Sequence, residues 1–481
     1  MASLRVSSQM PTKALSVFEI GPTRPVSASY PVGPMGALLQ FSNPAVIFVY
    51  HGHVDVNDFF DGVARALGKY PQLAGTLSRD GRRLRVQVQP SDTATCRIVH
   101  DPNLKWNHDN WGGHLTESNL KRYARQLHSN VLWGGKLIDI TLTFTHSHSI
   151  VGICFNHAVA DGATLNDFIR TIWSKSETSD SASSVVHESA AFPDDAFPDD
   201  GSPTRELLTR PKRYIYPDFL FVVLWIARCL WETLFNKQVA IYAMYSAATC
   251  RSLKMECRAQ GASVSTLDIL SAHVWREQAL LRYATTPRCW KPEYVHWCFY
   301  VDLRRAAQCD ELIAGNPMAL AVVSKRLTDL MEDPPQDTAD LIRKEIILVR
   351  DNASSIIAQG RSVQGQHALG CVSHEVMAEN QIRDNVFFST AWTGFDFASA
   401  YSLPLTCTIF RLQHSSTMLS GIPGMRWFTV FHKSADGICS ESIIPQAIHQ
   451  RMVAQRSAQR SQSSFDERQQ SLRFSPAGKA P

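Results

Sequence analysis

The residues best placed to do chemistry stand in one short run, Phe155-Asn156-His157-Ala158-Val159-Ala160-Asp161-Gly162. An apolar, strand-like stretch ends there and a helical pattern begins. A histidine at such a junction can turn its imidazole out of the sheet and into a cleft, held by backbone on both sides. With an ordinary pKa of about 6.5, neutral histidine takes a proton from a hydroxyl near physiological pH. Asp161 leaves the face of His157 if the intervening residues turn, and is better placed to cap the helix or to pair with an arginine that braces the loop. Gly162 permits a sharp turn. On spacing alone, His-x-x-x-Asp favours a hydrogen-bonded structural histidine and an N-capping aspartate, so the surroundings must decide.

Other candidates carry less. His146 and His148 share a strand face and could begin a zinc site, but no third ligand stands at a zinc spacing, and polar strand-end residues are the better reading. His273 lies in a helical pattern among apolar neighbours and reads as a core histidine. Gly134-Gly135-Lys136 lacks the upstream Gly and the following Ser/Thr of a phosphate loop. The 11 cysteines are scattered without a Cys-x-x-Cys, as in a reduced intracellular protein whose thiols fill apolar space. No metal is expected.

Several elements must position the His157 run. Residues 45–50 are a β-branched and aromatic strand; Val56, Phe59, Phe60, Val63, Ala64 and Leu67 follow at helical spacing, with Asn57 or Asp58 near the N-cap. Residues 82–88 read as a strand, 136–144 and 150–156 as paired strands, and 163–174 as a helix. Residues 176–204 are rich in Ser, Asp, Pro and Ala and repeat the pentad Ala-Phe-Pro-Asp-Asp, so they read as a linker or surface loop. Helices follow at 266–281 and 340–350, with strands at 294–303, 318–323, 407–411 and 426–431. The fold class is α/β with mixed sheets in two domains. The divisions fall at 1–175, a crossover linker 176–213, a second domain 214–449, and a basic Gln/Ser/Arg tail 450–481.

Length and composition agree. The chain has 481 residues, 44% hydrophobic and 19% charged, which suits two globular domains and excludes a disordered or collagen-like chain. Its net charge of +4 equals the balance of the tail from Arg451, six basic residues less Asp466 and Glu467, so the body is close to neutral. A neutral body argues against a nucleic-acid groove. The first twenty residues lack the apolar run of a signal peptide, and a cytoplasmic location is expected. The apolar stretch 219–235, opening on Phe219 and closing on Phe235, is interrupted by Arg228 and Glu232. It reads as an amphipathic helix, with Trp225 and Trp231 as core or channel wall. It suits weak peripheral membrane contact rather than stable insertion.

Taken together, several motifs resemble those of the BAHD-type (HxxxD) acyltransferases, in particular the fungal, trichothecene acetyltransferase-like branch. Tyr70-Pro71-Gln72-Leu73-Ala74-Gly75 resembles the turn after the family's first helix, and His157 to Gly162 matches its HxxxDG. The helix from Ser265 to Trp275-Arg276, Val301-Asp302-Leu303-Arg304, Gly315-Asn316 and Ala435-Asp436-Gly437 resemble later elements in the family's order. The resemblance implies two similar chloramphenicol-acetyltransferase-like domains with the site in a channel at their interface. It implies acyl transfer, acetyl above all, from acyl-CoA to a hydroxyl of an apolar secondary metabolite such as a terpenoid. His157 would be the general base, with Asp161, Gly162, Arg304 and Asp396 orienting, and Thr390 or Trp392 contacting the carbonyl oxygen. The expected partners are acetyl-CoA, or another acyl-CoA, as co-substrate and a small alcohol acceptor, with the protein a monomer. The family's Asp-Phe-Gly-Trp-Gly is reduced here to Asp396-Phe397-Ala398-Ser399-Ala400, and Arg305 is followed by Ala306. Two alternatives follow: carrier-protein-dependent condensation, whose domains usually carry a second histidine where Asn156 stands, and an inactive ligand-binding relative.

Overall fold

The computed structural model describes residues 14–81, 83–102, 123–125, 127, 129, 134–174, 185–192, 215, 223, 227, 238–259, 261, 263–284, 286–307, 312–365, 385–395, 405–411, 427–434 and 437–452. Two six-stranded mixed sheets form its frame. The first runs Ala14–Ile20, Ala94–His100, Ile138–Phe144, His148–Phe155, Ala45–His51 and Leu405–Arg411. All its pairings are antiparallel except that of Ala94–His100 with Ile138–Phe144. The second runs Gln238–Ser246, Gly437–Pro445, Phe428–Ser434, Val386–Trp392, Tyr294–Asp302 and Met318–Arg326. There Val386–Trp392 is parallel to both its neighbours.

The central strands read as unbroken apolar runs because both of their faces are covered. Every residue of Ile138–Phe144 is buried, and Val46, Phe48 and Tyr50 face one core while Ala45, Ile47 and Val49 face another. By contrast, Arg83–Val88 alternates, with Leu84, Val86 and Val88 inward. The helix Val56–Lys69 packs on Gly162–Trp173 against the first sheet, burying Phe59 and Phe168. Its N-cap is Asp55, two residues before Asn57 and three before Asp58, and the Asp55 carboxylate accepts from both of their N–H groups at 2.9 Å. In the second half, Thr266–Tyr283 packs on Pro335–Asp351 and buries Trp275, whose ring stacks on Trp297. Ser265 and Asp268 form a reciprocal capping box that starts this helix. Burying side chains of this size contributes about 1.5–3 kcal/mol each.

Two expectations are corrected. The segment read as linker or surface loop contains a strand, Val185–His187, which pairs in parallel with Leu312–Ala314. It also contains buried Glu188 and Phe192. The short apolar islands Val185-Val186 and Ala190-Ala191-Phe192 are diluted by their polar surroundings when composition is averaged. Strand Leu405–Arg411, expected within the second domain, is instead the edge of the first sheet, antiparallel to Ala45–His51. The chain thus crosses back to satisfy that edge. Most of the amphipathic stretch 219–235, with Trp225 and Trp231, and the tail beyond residue 452 lie outside the described residues.

Candidate active site

His157 stands one residue past Asn156, which follows the central strand His148–Phe155. Its backbone is fixed from three directions. The His157 N–H donates to the Ser42 carbonyl at 2.8 Å, and Asn156 N–H donates to Leu137 at 2.8 Å. From the second half of the chain, Asn316 Nδ2 donates to the His157 carbonyl. Gly36, in the helix Pro34–Leu39, lies so close to the Ala158 carbonyl that a Cβ there would meet it at 2.6 Å.

Asn156 is the structural pin. Its Nδ2 donates to the Gln40 carbonyl at 3.0 Å and the Ser129 carbonyl at 2.8 Å, while its Oδ1 accepts the Ala158 N–H at 2.8 Å. A fully buried amide so engaged is committed to shaping the loop, and the place a second histidine takes in condensation domains is filled by this network.

The imidazole itself is only partly exposed, and its Nδ1 has no hydrogen-bond partner among the described residues. Burial lowers the pKa of His157 below the usual histidine value, outweighing the opposing pull of the backbone at His157 and Ala160 and of the Asp161 charge. The ring is therefore neutral at physiological pH, the form that accepts a proton.

Asp161 fills both roles open to it. As N-cap of Gly162–Trp173, its Oδ1 accepts the Thr164 N–H at 2.9 Å. It also takes a two-pronged ion pair from Arg304, whose Nη1 donates to Oδ2 at 2.7 Å and Nη2 to Oδ1 at 2.8 Å. Arg304 further donates to the Asp302 carboxylate at 3.1 Å and to the Ile313 carbonyl at 3.0 Å. Asp161 is 1% exposed, so this pair ties the helix start to the second half in a dry setting.

Gly162 has an ordinary helical backbone and is absent from the glycines at positive φ, so the turn expectation is corrected. The reason for glycine is close approach: a Cβ would meet the Phe395 ring at 2.5 Å and the Trp392 ring at 3.2 Å. These two rings meet edge to face, with centroids 5.5 Å apart. Thr390, half-buried, precedes Trp392 by two residues on the same strand and shares its face. Asp396 lies outside the described residues, as do Ala435 and Asp436.

Three further residues complete the arrangement, and sequence reasoning did not place them in the site. Thr164 Oγ1 donates to the Gly315 carbonyl and accepts the Gly315 N–H, both at 3.2 Å. Asn316 holds His157, and Glu188 accepts the Asn316 N–H. Gly315-Asn316 was visible as a motif; Thr164 and Glu188 had no signal beyond their neighbourhood in three dimensions. Among the described residues, no group of three His, Cys, Asp or Glu is arranged to hold a metal ion. His148 Nδ1 instead shares a hydrogen bond with the Ser147 hydroxyl at 2.8 Å.

No family model and no curated protein sequence matches the chain. Solved structures do. TRI101 from F. sporotrichioides, complexed with coenzyme A and T-2, superposes with a TM-score of 0.62 at 14% identity, over 89% of this chain and 97% of that one. TRI101 from F. graminearum, complexed with ethyl coenzyme A, gives 0.60 at 13% identity over 89% and 97%. Vinorine synthase gives 0.59 at 13% identity over 91% and 96%. The similarity covers nearly the whole of each chain, and the two mixed sheets of this chain belong to the fold of these solved structures.

Proposed function

We propose that the protein is a coenzyme A-dependent O-acyltransferase, above all an O-acetyltransferase, acting on a hydroxyl of an apolar small molecule such as a terpenoid. The observation that carries this reading is a neutral imidazole on a loop pinned by both halves of the chain, with a ring nitrogen left without a partner. The crystallised complexes of structurally similar proteins with coenzyme A and T-2 support the choice of donor and acceptor class.

In this reading His157 takes the proton of the acceptor hydroxyl as its oxygen attacks the thioester carbonyl. The carbonyl π electrons move onto oxygen, giving a tetrahedral oxyanion. Collapse expels the coenzyme A sulfur, which receives the proton from the His157 imidazolium, so ester and free thiol leave and the histidine returns neutral. The thioester is already activated, and the step calls for positioning and a base rather than a covalent enzyme nucleophile. Asp161 is a brace here: its oxygens are occupied by Arg304 and the helix N-terminus. A donor from Thr390 or Trp392 to the oxyanion would contribute about 2.7–4 kcal/mol.

The direct test incubates the purified protein with acetyl-CoA and a panel of apolar alcohols, following thiol release together with the acetyl mass gain of the acceptor. Thiol release coupled to the mass gain is the expected result. Tight coenzyme A binding with no transfer to any alcohol would point to an inactive binder.

A further inference from the structure

Glu188 lies at the N-terminus of a one-turn helix directly after the strand Val185–His187, within the polar segment that joins the two halves. It is 6% exposed, unusual for a carboxylate that has no cation in hydrogen-bond contact among the described residues. Parallel pairing of Val185–His187 with Leu312–Ala314 places Glu188 beside Gly315 and Asn316, next along the partner strand. Two glycines make room for it. A Cβ at Gly33 would collide with Glu188 Oε1, and one at Gly315, where φ is +117°, would collide with Oε2. The Asn316 N–H donates to Oε2, and the Asn316 side chain donates to the His157 carbonyl. The same Gly315 is gripped by Thr164, which also receives a donor from Arg304 at 3.3 Å.

We propose that Glu188 is a positioning residue for His157: its carboxylate fixes the Asn316 backbone, and the Asn316 side chain in turn fixes the backbone from which the imidazole projects. The inference rests on the acyl-transfer reading for its kinetic consequence, but the relay itself is a matter of geometry. The segment joining the halves thereby reaches the reacting group through one residue.

The charge on Glu188 matters to this grip, because an ionised carboxylate is the stronger acceptor for a backbone N–H. Burial raises its pKa to about 7, against the favourable Asn316 N–H. Among the charged groups facing it, Asp161 pushes the value up, while Arg361 and Arg304 pull it down. The adjacent His187 engages Ser189 at 3.0 Å, and burial depresses its own pKa to about 4, so it stays neutral. Two groups must then be deprotonated for full rate, His157 and Glu188. Falling pH protonates Glu188 first, loosening Asn316, and then His157, removing the base.

The test compares wild type with Glu188→Gln, which keeps the shape, and Asn316→Ala, which cuts the side-chain link. In folded Glu188→Gln we expect kcat to fall between about 10-fold and 100-fold, as for misplacement of a reacting group, with KM for acetyl-CoA within about twofold. The wild-type rate profile should show, ahead of the His157 limb, an added fall as Glu188 is protonated, no larger than the loss seen in Glu188→Gln, and the variant should lack that step. Because both variants break one relay, the double variant should lose no more than Asn316→Ala alone. Hydrogen exchange adds a readout independent of turnover: amides at 156–162 and at Gly315 and Asn316 should exchange faster together in Glu188→Gln. A folded Glu188→Gln with wild-type kcat and exchange would overturn the proposal. Active wild type without those effects removes Glu188 while leaving acyl transfer intact. Coupled exchange in a wild type that transfers no acyl group removes the reaction while leaving the relay.

Discussion

Asp161→Asn isolates the ion pair that joins the helix start to the second half. Asparagine keeps the side-chain shape and an oxygen for the Thr164 N–H, but removes the charge facing Arg304. The guanidinium loses a two-pronged partner at 2.7 and 2.8 Å and retains Asp302, which is half exposed and so poorly shielded from water, and the Ile313 carbonyl. Removing one partner of a buried pair costs about 3–5 kcal/mol, and the retained contacts put this variant near 3 kcal/mol. Arg304→Met strands the other charge at about the same cost. The double variant strands neither, so its loss should fall short of the sum by about 2 kcal/mol. Urea unfolding of the four proteins measures this cycle at fixed pH. Kinetics adds a second sign: the Asp161 charge holds the His157 pKa up, so the acid limb of Asp161→Asn should move to lower pH. Losses that add within about 0.5 kcal/mol, or a limb that moves to higher pH, would refute the brace.

Gly162→Ala should destabilise by about 1–3 kcal/mol through contact with the Phe395 and Trp392 rings, and Phe395→Leu should recover part of that loss in thermal unfolding. Acid should destabilise the fold between pH 6.5 and about 4, because buried His187, His296 and His432 have pKa values depressed from 6.5 to about 4. Over that window the unfolded chain binds more protons than the folded one, so stability falls with pH. Glu188, raised from 4.5 to about 7, acts in the opposite sense, its contribution being lost as pH rises through that range. Three groups outweigh one, and the urea midpoint should be lower at pH 5 than at pH 7; a higher midpoint at pH 5 would show that these histidines are not held neutral.

Much of this was legible in the chain because local and global signals coincide. Continuous apolar runs marked the central strands, and the Ser265–Asp268 capping box announced its helix. The HxxxDG spacing drew attention to His157 and Asp161, and similarity to a known family supplied Arg304. What stayed hidden depends on contacts between distant segments. Thr164 meets Gly315, 151 residues away, and nothing local marks it. Glu188 sits in a stretch whose composition reads as solvent-exposed, and its burial follows from strand pairing and two glycines. Leu405–Arg411 has the pattern of a strand, but which sheet it joins is set by the open edge at Ala45–His51. Gly162 was noticed for the wrong property, since its role is space rather than backbone freedom. Asn352-Ala353-Ser354 matches a glycosylation sequon, yet Asn352 is 7% exposed and donates to Leu348 at 2.8 Å.

The central claim is that His157 is the base of a coenzyme A-dependent acyl transfer, and His157→Ala tests it most directly. Coenzyme A affinity, measured by calorimetry, should be nearly unchanged, because the base acts on the acceptor's proton during attack. Under saturating acetyl-CoA and acceptor, kcat for thiol release coupled to acceptor acetylation should fall by about 10²–10⁴, the range for loss of a general base. The wild-type rate should decline as pH drops through the lowered pKa of His157. Equal turnover by the variant and the wild type would contradict the account.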